Sequence, residues 1–359
     1  MKVLHVIARM NVGGTARYIE ELIDGATELG YEAELATGYV QGQEVEASGF
    51  NKGTTHRIAH LGRKISPIND LRAYYELKKV IAQVNPNIIH SHTFKAGLLA
   101  RLVPGKFKRV HTFHGHLFED QSFSALQKFG ILRAEKYLAK RTNQLISVGV
   151  RVGEELREIN IGRSSKWVSI APGVRPLKKH KKADAREKLK LPANGLIIGW
   201  MARATSVKNP FLALEIAAQF PETTFVMAGG GDLLAEVKSK AGKNVKVIGW
   251  ADAALMWSAV DVVLSTSNNE GIPIALVEAQ LAGLPVVATD VGSCSEVIKS
   301  GKTGFVVAKD KSELKKALTL LVGNSKKRTS FGQAAKVHAQ KYFTVEKMNS
   351  AHAKIYRKL

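Results

Sequence analysis

Two glutamates stand eight residues apart in the stretch STSNNEGIPIALVEAQLAGLPVVATD, which runs from Ser265 to Asp290. Glu270 precedes Gly271-Ile272-Pro273-Ile274, and Glu278 lies inside an otherwise apolar run. Pro273 suits the first turn of a helix, where its missing N–H is not needed; Gly283 and Pro285 end it. The spacing therefore predicts a helix over roughly 272–282. Its mouth at Gly271 offers unpaired backbone N–H groups and a positive dipole end to an oxygen-rich ligand. Glu278 falls one turn after Ile274 and one before Leu281, on the face turned to a sheet. A carboxylate there needs hydrogen-bond donors. Ribose hydroxyls would serve, and so would a nearby Arg or Lys.

Other residues offer matching chemistry. Arg203 and Lys208 follow the strand-like run GLIIGWMAR. A guanidinium fork and an ammonium at a strand's end either neutralise a leaving diphosphate or stand as surface cations. Gly13-Gly14 separates a strand-like from a helix-like run. It either exposes bare backbone to a phosphate or sugar or makes a tight turn, and it is not the G-x-G-x-x-G fingerprint. Gly230 in MAGGGD stands at another strand's end, as a flexible turn or as room for a planar base. His90, His92, His111, His114 and His116 cluster in sequence. Strand alternation puts His111 and His114 on opposite faces, and no Asp completes a ligand set. No D-x-D triplet occurs. No metal is expected, and cations with helix dipoles would take the diphosphate instead.

These residues need a scaffold of alternating elements. KVLHVIA reads as a buried strand and GTARYIEELIDGATELG as the helix after it. YEAELATG, NIIHSH, RVHTFH, QLISVG and KWVSIAPG continue a first series of strands. GLIIGWMAR opens a second, followed by TTFVMAGGG, NVKVIGW, DVVLSTS and PVVATD. Strands apolar on both faces and separated by helices imply parallel sheets covered on both sides. The fold class is α/β, with two doubly wound domains and ligands beyond the carboxyl ends of the strands, in a cleft between them. The basic, proline-bounded PGVRPLKKHKKADAREKLKLPANG marks the boundary.

Composition bounds the rest. The chain has 359 residues, 45% hydrophobic, enough for about two domains. No run approaches a membrane span, and MKVLHVIARMNVGG is too short an apolar start for a signal peptide. A single cysteine, Cys294, fits a reducing compartment, so the cytoplasm is the expected location. Lys and Arg number 53 against 31 Asp and Glu, a formal charge of +22. That charge is either a solvated surface or attraction to an anionic acceptor or anionic membrane. No nucleic-acid partner is expected, since no RNP signature, zinc-finger spacing or basic zipper occurs. The helix FSALQKFGILRAEKYLAKR carries Phe123, Leu126, Phe129, Leu132 and Tyr137 among cations. It reads as a core helix with a wet face, or as a basic amphipathic surface peripheral to an anionic membrane.

The E-G-x-P, the second glutamate eight positions on and the following A-x-x-x-G-x-P-V-V resemble the E-x7-E signature of retaining glycosyltransferases of family four. NVGGTARYIEEL is similar to that family's Gly-Gly loop. GWMARATSVKNPFLALEIA is similar to its diphosphate segment, T-F-H-G to its active-site histidine motif, and FVMAGGGD and VIGW to its strand ends near the base. The resemblance covers nearly the whole chain. It implies the GT-B fold: 1–173 as an acceptor-side Rossmann-like domain, 174–342 as the nucleotide-sugar domain, and 343–359 as a helix crossing back to the first. It implies catalytic roles for Glu270, His114, Arg203 and Lys208. It implies donor contacts at Gly13, Gly14, Gly230, Gly249, Trp250, Gly271, Ile272, Pro273, Ile274 and Glu278. The implied activity is metal-independent transfer of a sugar, with retention, from a UDP-linked donor to a glycan or lipid-linked acceptor of the cell envelope. No cofactor beyond the nucleoside diphosphate sugar is implied. Front-face attack, with a leaving phosphate oxygen as base, comes with the resemblance alone. The chain departs from the family at Pro172-Gly173-Val174-Arg175, where many relatives carry Asp in place of Arg175. A non-catalytic sugar-nucleotide-binding protein and a sugar-nucleotide epimerase on the same scaffold are the alternatives.

Overall fold

The structure, a computed structural model, describes residues 1–42, 44–52, 54–62, 66–115, 118 and 124–359. These residues form two compact units, Met1–Gly173 with Val345–Leu359, and Val174–Thr344.

The first unit holds strands β1 (Lys2–Ile7), β2 (Glu32–Thr37), β3 (Thr55–Arg57), β4 (Ile88–His92), β5 (Lys108–Phe113), β6 (Gln144–Ser147) and β7 (Trp167–Ser169). All pair in parallel, in the order β3-β2-β1-β4-β5-β6-β7. Between them run α1 (Gly14–Asp24), α2 (Pro67–Val84), α3 (Phe94–Leu102), α4 (Ala125–Lys140) and α5 (Val150–Glu158). Parallel strands need such crossovers, and the helices cover both faces. On one face Leu4, Val6 and Ile89 of the strands share a buried cluster with Leu77 and Ile81 of α2 and Leu99 of α3.

The second unit begins with α6 (Lys182–Lys188), inside the basic boundary segment, followed by β8 (Ile197–Met201) and α7 (Pro210–Ala217). Then come β9 (Thr224–Ala228), α8 (Leu234–Lys240), β10 (Val245–Gly249), α9 (Ala253–Ala259) and β11 (Val262–Ser265). The unit closes with α10 (Ile274–Leu281), β12 (Val286–Thr289), α11 (Cys294–Val297), β13 (Gly304–Val307), α12 (Lys311–Val322) and α13 (Ser325–Tyr342). Its sheet order is β10-β9-β8-β11-β12-β13, again parallel. The order reverses beside β8, which makes the carboxyl end of that strand the switch point where ligands bind in such sheets. Both units are thus Rossmann-like, as the alternation of strands and helices predicts.

The last helix, α14 (Val345–Lys358), belongs to the first unit. Polar bonds tie it there. Tyr18 OH lies 2.8 Å from His352 Nε2, Tyr356 OH 2.6 Å from His90 Nδ1, and Asn349 Nδ2 donates to Glu21 O at 2.9 Å. No helix among the described residues is long and apolar enough to cross a membrane.

Candidate active site

In the second unit the loops at the carboxyl ends of β8 and β11 are stitched together. Asn268 N donates to Val207 O at 2.7 Å, Asn268 Nδ2 to Ser206 O at 2.8 Å, and Thr266 Oγ1 to Asn209 O at 2.9 Å. Asn209 adopts a left-handed φ of 45°, and its side chain caps α7 by accepting from Leu212 N. Asn tolerates that backbone region and makes a good N-cap. The stitched loops bring Lys208 to Glu270, 62 positions on: Lys208 Nζ donates to Glu270 Oε1 at 2.6 Å. Ser267 Oγ donates to the same oxygen at 2.7 Å.

The loop after β12 closes over Glu270 from its other side. Ser293 N donates to Gly271 O at 3.1 Å. Gly292 has φ 48°, and a Cβ there would stand 1.8 Å from Glu270 O. Only glycine permits that approach. Cys294 is buried behind this turn; burial first, then the Glu270 charge, push its thiol well above the ordinary range. It is no nucleophile.

The helix after Glu270 is shorter than the expected 272–282: α10 spans Ile274–Leu281. Pro273 is the N-cap of α10, with φ −74° and ψ 98°, rather than a residue of its first turn. Its extended ψ turns the chain into the helix one residue later. Gly271, Ile272 and Pro273 are buried and Ile274 half-buried. Glu278 is 4% exposed, on the inner face of α10, and Trp257 Nε1 lies 3.4 Å from its Oε2. Arg203, half-buried, lies between β8 and the 206–208 turn, on the same loop as Lys208.

Gly230 and Trp250 meet at the ends of β9 and β10. A Cβ on Gly230 would stand 2.3 Å from Trp250 Nε1. The glycine thus admits the indole of this chain, and Trp250, 47% exposed, offers a flat apolar platform. Gly249, with φ 71°, turns the chain there and accepts from Gly229 N at 2.7 Å.

In the first unit Gly13 caps α1 and Gly14 opens it. A Cβ at Gly13 would meet nothing nearer than Asn11 O at 3.9 Å, so internal packing does not demand glycine there. His114 follows β5 and packs against the ring of Tyr18, one turn after Gly14 on α1, with centroids 4.8 Å apart and planes at 86°. Burial holds its pKa down to about 3. His111 faces the other way, its Nδ1 2.9 Å from Ser91 Oγ, which places the two histidines on opposite faces of β5. His116 and Phe123 lie outside the described residues.

Three features escaped the sequence reading. His5 and His352 join His90, His92 and His114 in one buried group. Thr93, at the carboxyl end of β4, takes φ 65°, an outlier for a β-branched residue. The group His5, His90 and His92 brings three potential metal-ligand atoms within 4.8 Å of one another. Hydrogen bonds already engage both nitrogens of His90, with Tyr356 and Thr112, and both of His92, with His5 and His114.

A family model described as Glycosyl transferases group 1 matches residues 181–338, and one described as Glycosyltransferase Family 4 matches residues 12–176. The chain is 29% identical over 272 residues, 70% of each chain, to the UDP-Gal:alpha-D-GlcNAc-diphosphoundecaprenol alpha-1,3-galactosyltransferase of Escherichia coli. It is 25% identical to a D-inositol 3-phosphate glycosyltransferase of Jonesia denitrificans, over 92% of this chain and 88% of that one. Among solved structures, sucrose-phosphate synthase from Thermosynechococcus elongatus superposes with a TM-score of 0.87 at 20% identity, covering 100% and 98% of the two chains. Anabaena Alr3699/HepE in complex with UDP and glucose gives 0.86 at 19% identity, over 100% of both.

Proposed function

This chain belongs to the family-4 glycosyltransferases of GT-B fold, and from that premise we propose that it moves a sugar from a UDP-linked donor to a lipid-linked acceptor, with retention and without a metal. The observation that carries the reading is the 2.6 Å contact of Lys208 Nζ with Glu270 Oε1 at the switch-point end of the second sheet. An ammonium has three protons. One goes to Glu270, and two remain for phosphate oxygens. Lys208 and Ser267 both address Oε1, so Glu270 Oε2 is left to accept from hydroxyls of the donor sugar.

Departure of the diphosphate leaves negative charge on its oxygens and cationic character on the sugar carbon. Arg203, Lys208 and the N-terminus of α10 meet the first, and the Glu270 carboxylate the second. Glu278 accepts from the ribose, and Trp250 with Gly230 flanks the base. Gly13, Gly14 and His114 are assigned to the donor as well. The acceptor oxygen attacks from the side the diphosphate leaves, and a leaving phosphate oxygen takes its proton. No further cofactor takes part. The Escherichia coli relative is named for a UDP-sugar donor and a diphosphoundecaprenol-linked acceptor. That supports the UDP and lipid assignments, and with them work at the cytoplasmic face of the membrane.

Purified protein incubated with UDP-galactose, UDP-glucose or UDP-N-acetylglucosamine should release UDP. Release should accelerate when a polyprenyl diphosphate sugar is added, and the new linkage should keep the donor's anomeric configuration by NMR. No UDP release, together with no thermal stabilisation by any nucleoside diphosphate, would sink the reading.

A further inference from the structure

His5, His92 and His114 form a chain of rings inside the first unit. His5 Nδ1 lies 3.1 Å from His92 Nε2, and His92 Nδ1 lies 3.1 Å from His114 Nε2. Strand register produces it. His5 pairs with His90 across β1 and β4, His92 pairs with Thr112 across β4 and β5, and His114 follows Thr112 by two. Alternation then turns all of them to one face.

Each ring is neutral near pH 7, because burial holds His5 and His114 at about 3 and His92 well below the ordinary range. A neutral imidazole has one N–H and one lone pair. Each contact needs one of each, and His92 uses both of its nitrogens. The chain therefore has two arrangements only, with all three protons on Nδ1 or all three on Nε2. In the second arrangement the last N–H is stranded on His5 Nε2, which is fully buried and has no hydrogen-bond partner. Among backbone groups a buried N–H without an acceptor is rarer than an under-satisfied buried acceptor, and the same order of cost favours leaving a lone pair rather than an N–H at His5 Nε2. In the first arrangement the buried end is a bare lone pair. The last N–H is then His114 Nδ1–H, on a half-buried residue at the edge of the group, whereas His5 is fully buried.

The neighbours do not disturb this order. His352 Nδ1 lies 2.8 Å from Met348 O, a carbonyl that only accepts, so His352 carries its proton there. Tyr18 OH then donates to His352 Nε2 and offers His114 only its ring. His90 is occupied by Tyr356 and Thr112.

We propose that His5 and His92 are positioning residues that lock His114 as the Nδ1–H tautomer, so that it donates a hydrogen bond to a sugar hydroxyl or phosphate oxygen of the UDP-sugar. The role given to that N–H rests on the reading of His114 as a donor-site residue; the lock itself does not.

The test is long-range proton–nitrogen NMR of the full chain labelled with ¹⁵N-histidine, which reports the protonated nitrogen of each ring. His5, His92 and His114 should all show Nδ1–H, and UDP-galactose should shift the His114 signals. In His92→Phe, His114 loses its partner at Nε2 and should populate Nε2–H. The KM for the UDP-sugar should then rise about tenfold, with kcat changing less. Any of the three rings found as Nε2–H in the unaltered protein overturns the lock, whether or not His92→Phe folds. Three Nδ1–H rings with His114 signals unmoved by UDP-galactose uphold the lock and remove His114 from the donor site.

Discussion

Lys208 Nζ and Glu270 Oε1 sit 2.6 Å apart, with side chains 21% and 9% exposed, so cation and carboxylate are held as a single unit. Lys208→Ala should weaken UDP binding by about 1–3 kcal/mol, the range for a lost charge-assisted bond. Arg203→Ala should do the same. Glu270→Gln should keep most of the affinity and lower kcat, because it removes charge where cationic character develops. Residues in contact couple, so the Lys208→Ala, Glu270→Gln double variant should lose less than the sum of the singles. Calorimetry that finds unchanged UDP affinity in both cation variants would take them out of the site.

Glu278 should behave differently. It is 4% exposed, within α10 and eight residues on from Glu270, beside Trp257. Glu278→Gln exchanges one of its accepting oxygens for an NH2 donor, at the position proposed to accept from the ribose. UDP and UDP-sugar should both bind more weakly, by about 1–3 kcal/mol, with kcat at saturation largely kept. Normal UDP binding by this variant would end the ribose assignment.

Chelation tests the electrostatics as a whole. Arg203, Lys208 and the start of α10 are assigned the charge that a divalent ion supplies elsewhere. Sugar transfer should therefore continue in EDTA at its original rate. Loss in EDTA that Mg²⁺ or Mn²⁺ restores would return attention to His5, His90 and His92.

Much of this was legible in the sequence, because long periodic elements carry their own signal. The two series of strands, the helix after Glu270 and the buried Glu278 follow from apolar spacing and from Pro and Gly positions. Two edge strands did not announce themselves. Thr55–Arg57 has three residues and no apolar side chain, and Gly304–Val307 is four residues held by pairing with β12. The histidine group was only half legible. His90, His92 and His114 are near in sequence, but His5 joins through strand register and His352 through the return of α14. The Lys208 contact depends on loop-to-loop bonds of Asn268 and Thr266, which no local pattern encodes.

The same histidines should make the protein acid-labile. Burial lowers the pKa of His5 and His114 to about 3, of His352 to about 4, and of His90, His92 and His111 well below the ordinary range. Tyr18 and Tyr356 face most of them, and Arg101 faces His111. The native pKa values lie below the unfolded value of about 6.5, so the unfolded chain binds more protons in between. Stability is then full above about 6.5 and falls as pH drops toward 3. At pH 5 each ring that stays neutral costs about 2 kcal/mol, from 1.36 kcal/mol per unit. Six such rings would together cost about 12 kcal/mol, comparable to the net stability of a typical domain, about 5–15 kcal/mol. Urea midpoints measured from pH 7 to 5 should fall steeply, with several protons taken up on unfolding. A midpoint constant across that range would contradict the buried, neutral state of this group.

The basic charge leads to the last prediction, binding to an anionic membrane. Ser124 and Gln127 form a capping box that starts α4, and the helix buries Ile131, Glu135, Leu138 and Ala139. Its opposite side leaves Leu126 80%, Phe129 58% and Tyr137 52% exposed. Arg133 lies over the Phe129 ring and Arg141 over Tyr137, with Lys140 exposed beside them. Apolar rings flanked by cations suit a surface of acidic headgroups. Each Lys or Arg near such a surface is worth roughly 1 kcal/mol, screened by salt within about 10 Å at 0.1 M. The protein should co-sediment with liposomes containing phosphatidylglycerol at low salt, less at 0.5 M salt, and little with neutral lipid. Phe129→Ser should weaken binding at both salts, while Arg133→Ala with Lys140→Ala should mainly remove the salt-sensitive part. Equal, negligible sedimentation under every condition would leave the charge as a solvated surface, and would leave α4 without a membrane role.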